Sequence, residues 1–297
     1  MTGAERGFLL LSSHLGEPAR KPLSTAQLRT LADRLAYAPR FAENRELAPE
    51  DLTALGYSGE MAEHILTLLN EEDVLDYYLR KGQILSCTPI TRISEHYPHH
   101  LRIRLGLDSP GVLWARGDVN LLEEPMVSLV GSRELEEGNW KFAAEVGRQA
   151  ALQGYVLVSG NARGADRTAQ ESCLDAGGKV ISVVADELWK QPLRKNVLYL
   201  SEDDFEADFS AHRALSRNRV IHALGLKTFV AQSGLHTGGT WDGTVKNIRN
   251  RWSPVYGFQD GSDAMRELAR MGLEQIGLDD LNSFYDLPQS EINIFDR

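Results

Sequence analysis

The chain has 297 residues, 42% of them hydrophobic and 25% charged, and a formal net charge of −10. That is enough apolar material for a full core in one large domain or two smaller ones, and the acidity argues against a surface that coats nucleic acid all round. Two cysteines, Cys87 and Cys173, neither in a CxxC pair, argue against a disulfide framework or a structural zinc site and favour a reducing, cytoplasmic setting; no apolar run approaches the ~18 residues of a membrane span.

In chain order, "GFLLLSS" near the start is too short for a signal-peptide core and lacks a small-residue cleavage pattern. Residues 24 to about 85 read as helical. "STAQLRTLADRLAY" has a Ser/Thr cap and apolar Leu28, Leu31 and Leu35 at helical spacing. "APEDLTALGYSGEMAEHILTLLNEE" reads as two short helices around "GYSG", with Leu52, Leu55, Ile65, Leu68 and Leu69 facing inward. Residues 1–85 are thus expected to form a small helical module, SAM-like or helix-hairpin-helix-like. A DNA-backbone binder and a plain packing module both stay open, since the hairpin lacks a clear Gly-x-Gly and its surroundings are acidic. Residues 86–125, rich in Pro and Gly turn signals, read as an irregular connector in which His99 and His100 are solvated.

From Met126 the pattern changes. "MVSLVGS", "YVLVSG", "KVISVVA", "KTFVAQS" and "SPVYGF" read as buried strands. The helices "GNWKFAAEVGRQAALQG", "ADRTAQESCLDAGG" and "GGTWDGTVKNIRNR" fall between them, and an acidic, helical stretch precedes "SRNRVIHALG". Near-continuous apolar strands alternating with helices predict an α/β fold, an extended, Rossmann-like, doubly wound and mostly parallel sheet over residues 126–260. A helix, "SDAMRELARMG", and an acidic tail follow over 261–297. Residues 126–258 carry 16 basic and 15 acidic side chains, so a local cationic site fits there despite the acidic total.

Ligands bind such sheets at the carboxyl ends of the strands. Four loops fall there. In "VGSRELEEG", Gly131 allows a tight turn, Ser132 offers a hydroxyl and an N–H, and Arg133 can fork onto a phosphate. In "SGNARGADRTAQ", Ser159, Gly160, Asn161 and Gly164 surround Arg163, and Asp166 is placed to cap the next helix. In "HRALSRNRVIHALG", Arg217 and Arg219 flank Asn218 at a helix start. In "SGLHTGGTWDGTVKN", Thr237, Gly238, Gly239 and Thr240 set two glycines and two hydroxyls at a helix N-terminus, a phosphate-seating arrangement. Trp241 beside them is either a base-stacking surface or a core residue. No GxxxxGK[ST] and no GxGxxG after the first strand is present, so ordinary ATP or NAD chemistry is disfavoured and no cofactor or metal is expected.

Taken as an ordered set, these loops resemble the DNA-processing protein A family (DprA, also called Smf). "VGSRE" resembles its VGSR loop. "SGNARGADRTAQ" resembles its SGGARGID-x-x-AH motif, with Asn161, Ala165 and Gln170 in place of glycine, isoleucine and histidine. "SRNRVIHAL" resembles its RNR segment, with Leu215-Ser216 where an aromatic and a proline are usual. The upstream "YPHHLRIRLGLDSPGVLWARGD" and "LSEDD" also resemble family segments, and Gln232 stands where the family usually has an acidic residue. No winged-helix pattern is expected after Asp260.

The resemblance implies a single-stranded DNA-binding protein of DNA protection, recombination and transformation. It would load a RecA-type recombinase, act as a homodimer, and be a binder rather than a catalyst. Its positive pocket maps onto Arg133, Arg163, Arg217, Arg219 and Lys195. The same Rossmann branch leaves two alternatives: a nucleotide-ligand sensor of phage defence, and a nucleotide-processing enzyme with Asp166 or Asp242 as its only candidate carboxylates.

Overall fold

Strand residues that alternate between two greasy faces need helices on both sides, and this chain supplies them. A computed structural model describes residues 1–36 and 47–288. Among the described residues five helices come first: α1 (Gly3–Ser12), α2 (Thr25–Ala36), α3 (Pro49–Ala54), α4 (Gly59–Leu69) and α5 (Glu72–Ile84). Then follow β1 (Thr88–Thr91), α6 (His99–Leu105), β2 (Val112–Gly117), β3 (Met126–Val130), α7 (Glu137–Leu152), β4 (Val156–Ser159), α8 (Ala165–Asp175) and β5 (Lys179–Val183). The chain continues through β6 (Val197–Ser201), α9 (Ala211–Ser216), α10 (Asn218–Leu224), β7 (Thr228–Val230), α11 (Gly238–Asn250), β8 (Val255–Phe258), α12 (Asp263–Met271) and β9 (Glu274–Ile276).

The strands form one nine-stranded sheet in the order β1-β2-β6-β5-β4-β3-β7-β8-β9. β6 through β9 in that order run parallel; β1 and β2 join antiparallel at one end. From β3 the chain winds outward through β4, β5 and β6, then crosses back to β7 on the other side of β3. The switch point therefore lies between β4, β3 and β7. Val127 and Leu129 pack on one face with α1, α5, α7 and α8. Met126 and Val130 pack on the other with α6, α10, α11 and α12. Burying each such side chain contributes about 1.5–3 kcal/mol.

Several elements differ from expectation. α1 is not among the expected elements: Thr2 and Glu5 close it with a reciprocal capping box, with bonds of 2.6 and 3.2 Å, and ten residues give too few turns for a clear period. Residues 86–125 are no irregular connector, since they supply β1, α6 and β2. The sheet thus begins at Thr88, ahead of the boundary expected at residue 125. Nor are the first 85 residues packed only among themselves. Leu9, Leu10, Leu75 and Tyr78 of α1 and α5 enter the same core as the sheet, while Leu31, Leu52, Ile65 and Leu68 of α2 to α4 form a small cluster of their own. Leu35 is exposed, and Leu55 and Leu69 are half-buried. Tyr37 and the tail from residue 289 lie outside the described residues. The expected helical stretch after β5 holds the strand β6 instead, and β9 follows α12. Among the described residues no helix is long and apolar enough to cross a membrane.

Candidate nucleic-acid interface

The loops after β3, β4 and β7 meet at the switch point, and with α9 and α10 they enclose a cavity of about 710 Å³. Each loop owes its shape to a specific residue. At Gly131 a Cβ would lie 2.4 Å from the Ala165 Cβ, and at Gly164, with φ +81°, it would lie 2.5 Å from the Ser132 and Arg133 carbonyl oxygens. Only glycine lets the first two loops nest. Asn161 adopts φ +62°, a conformation that asparagine tolerates better than most residues; this accounts for asparagine at a glycine position.

Arg217 is the central feature. It is 7% exposed, lines the cavity, and finds no hydrogen-bond partner for Nε or Nη1. A Cβ at Gly160 would lie 1.6 Å from its Nη1, so Gly160 exists to admit the guanidinium. Burial presses the Arg217 pKa down, opposed by the charges of Asp166 and Asp186. Asp166 is buried as well. Burial pushes its carboxyl up, against the pull of Arg217 and of the Ala162 and Gly160 N–H groups. It accepts from the Ala162 N–H at 3.1 Å. Asp166 therefore ties back the loop before α8. It does not cap that helix, as expected, because it sits inside the first turn and the cap position is Gly164.

The other predicted residues divide. Arg133 is exposed at the cavity lip with no ion-pair partner among the described residues. Arg163 also lines the lip and is 69% exposed, in a loose pair with Glu134 at 2.9 Å. Asn218 donates to the Gly239 carbonyl at 3.1 Å, which joins α10 to the start of α11. Thr237 is the cap residue of α11 but makes no side-chain cap bond, so the first turn, whose Gly238, Gly239 and Thr240 line the cavity, starts without a side-chain cap. Ser132 does not offer its donors: its N–H and hydroxyl both go to the Gln232 carbonyl, at 3.0 and 3.2 Å. Ser159 is buried and accepts from Gln170 at 2.6 Å.

Arg219, Lys195 and His100 differ from expectation, and the alternatives for Trp241 resolve to the core. Arg219 is committed to Glu202 through two bonds, 3.0 and 2.5 Å, and also donates to the Asp108 and Ser216 carbonyls, so it does not line the cavity. Lys195 precedes β6 at the amino ends of the strands, the opposite rim, because the stretch holding it is a strand start rather than a helix. Trp241 is buried, edge-on to His236 at 4.7 Å, and presents no free face. His100, expected in solvent, instead contacts the Leu224 carbonyl at 2.9 Å through Nε2. Burial, then the neighbouring Arg104, pulls its pKa down. Arg104 donates to the Ala223 and Gly225 carbonyls, and together they close the carboxyl end of α10. Among the described residues no cluster of His, Cys, Asp and Glu is placed to hold a metal.

The model of the DNA recombination-mediator protein A family matches residues 88–246, which include every cavity loop. The chain belongs to that family. It is 28% identical over 183 residues to the DNA processing protein DprA of Streptococcus pneumoniae, covering 57% of this chain and 64% of that one. It is 28% identical over 176 residues to the Bacillus subtilis protein of the same name, covering 56% and 57%. The chain thus spans less than two thirds of the length of the curated relatives it matches. Among solved structures, DprA from S. pneumoniae superposes with a TM-score of 0.68 at 21% identity, over 88% of this chain and 92% of that one. DNA processing protein A from Helicobacter pylori gives 0.53 at 24%, over 66% and 92%. These two likenesses establish the extended Rossmann-like fold.

Proposed function

We propose that this chain binds single-stranded DNA in recombination and transformation, seating backbone phosphates in the switch-point cavity. The observation that carries this reading is Arg217, a buried guanidinium that lines the cavity and whose enclosed Nε and Nη1 have no hydrogen-bond partner among the described residues. A buried charge without an ion-pair partner is costly, and a phosphate entering the cavity supplies a counter-charge to the guanidinium. Arg133 and Arg163 at the lip and the uncapped start of α11 extend the same seat. Family membership supports the reading, as does the H. pylori protein, whose structure concerns a single-stranded DNA binding mode.

In this account the chain protects the strand and hands it to a RecA-type recombinase, as a cytoplasmic homodimer, and no group in the cavity acts as a catalyst. The α3–α4 hairpin serves as a packing module. Arg219 and Lys195 take no part in the cavity.

The test is a titration of labelled single-stranded and duplex DNA at two salt concentrations, for wild type and for Arg133→Ala and Arg163→Ala. The expected result is tighter binding of the single strand, falling as salt rises, with each substitution weakening it and flattening the salt slope. No binding of either DNA at low salt would overturn the reading. A free nucleotide is a second occupant, favoured by the size of the cavity, about 710 Å³ and within the usual range for small ligands. Mass spectrometry of the purified protein for a bound nucleotide separates the two.

A further inference from the structure

A side pocket of about 320 Å³ opens beside the phosphate cavity and shares Arg133, Arg163 and Arg217 with it. Its remaining walls differ in chemistry. Phe209 lines it and is 58% exposed, whereas Phe205, four residues earlier, is fully buried and stacked on Tyr78 at 4.6 Å. Asp186 lines it from the end of β5 and has no hydrogen-bond or ion-pair partner among the described residues. Asn161 commits its amide nitrogen to Gln191 at 3.2 Å, which leaves its oxygen as an acceptor. Apart from the shared arginines, the pocket's polar side chains therefore offer chiefly acceptors, the Asp186 carboxylate and the Asn161 carbonyl oxygen, beside the one Asn161 N–H not given to Gln191.

An aromatic wall beside a phosphate seat is how single-stranded nucleic acid is held, the base stacked and read along its Watson–Crick edge. The acceptors select the base. Guanine offers two adjacent donors, N1–H and the N2 amino group, spaced for the two oxygens of a carboxylate. Thymine offers one donor between two carbonyls. Adenine and cytosine place an amino group beside a ring nitrogen that a carboxylate repels. We propose that the side pocket holds a guanine base of the bound strand, stacked on Phe209 and donating N1–H and N2–H to Asp186, with its phosphate at Arg217. This rests on the reading of the main cavity as a phosphate seat.

The experiment compares oligonucleotides of about twelve nucleotides, a length within the usual site size. One is all thymine; three others carry a single internal dG, dA or dC. Wild type is expected to bind the dG strand about tenfold tighter than the others, the discrimination of one bidentate contact. Asp186→Asn should reduce that preference to about twofold or less and raise binding of the all-thymine strand, because a negative charge leaves the groove. Phe209→Ala should weaken every strand about tenfold while the preference for dG remains. Free dGMP should displace a labelled strand better than dAMP, dCMP or TMP. Tight binding of all strands without preference, or a preference that survives Asp186→Asn, would overturn the guanine assignment and leave the phosphate seat standing. No binding of any strand, and none of dGMP measured directly by calorimetry, would overturn both. Binding of dGMP with no binding of any strand would keep the guanine subsite and assign it to a free nucleotide.

Discussion

Three arginines lie within seven residues of one another, and they do different work. Arg213 and Arg219 face the acidic loop after β6: Arg213 pairs with Asp203 at 2.6 Å and Arg219 with Glu202 at 2.5 Å. Arg217 turns the other way, into the cavity, where its nearest carboxylates approach but do not pair with it. On one side of α9 and α10 the positive charges are spent on the fold. On the other they are held buried and open. An arginine count would score the two regions alike; only the placement of carboxylates between residues 202 and 208 tells a fastening from a binding site.

The comparison breaks most sharply at the paired side. Glu202 and Arg219 are 10% and 23% exposed, so Arg219→Ala leaves a nearly buried carboxylate alone. We expect a loss of about 3 kcal/mol in urea unfolding, with single-stranded DNA affinity held within about twofold. On the open side, Gly160→Ala should do the opposite. The new Cβ must displace the Arg217 guanidinium, and DNA affinity should fall about a hundredfold, measured by fluorescence anisotropy.

A change of pH sharpens the account of what holds α10 in place. His222 on that helix is fully buried, contacts Asn247 at 3.0 Å, and burial pulls its pKa down to about 3. The unfolded histidine takes up a proton near pH 6.5, while the folded one stays neutral. Stability should therefore fall by about 1.4 kcal/mol per pH unit as pH drops from 6.5 toward 3. Unfolding of wild type and His222→Asn across that window should show a slope shallower in the variant by about that amount, the remainder coming from groups such as His100 and Glu145. The smallest effect is at the lip. Glu134→Gln frees Arg163 from a pair that is 85% exposed on the acid side, and DNA affinity should rise about twofold.

Three of the four candidate loops were legible because each joins a strongly apolar strand to a helix, and glycines mark the places where two backbones touch; the fourth, around Arg217, joins α9 to α10. The sheet's flank was not. β1, β6 and β9 have three to five residues each, too few for a period, and β1 and β2 add antiparallel strands to a pattern read as parallel. Lys195, placed in the pocket by the resemblance alone, falls on the opposite rim because it leads into β6. The fate of each arginine was also hidden, because Arg219 meets Glu202 and the Asp108 carbonyl only after folding. Phe205 and Phe209 look alike in sequence; one fills the core and the other faces the side pocket. Asn161 and Gln170, read as departures from a motif, fit their places: one tolerates a positive φ, and the other bonds two buried serines, Ser159 at 2.6 Å and Ser182 at 3.3 Å.

The most direct measurement sets Arg217→Met beside Arg219→Ala in the same single-stranded DNA titration, with both variants checked for folding by circular dichroism. The account predicts that Arg217→Met loses about a hundredfold in affinity while Arg219→Ala binds as wild type. Equal losses, or a loss confined to Arg219→Ala, would contradict it and move the DNA away from the switch-point cavity.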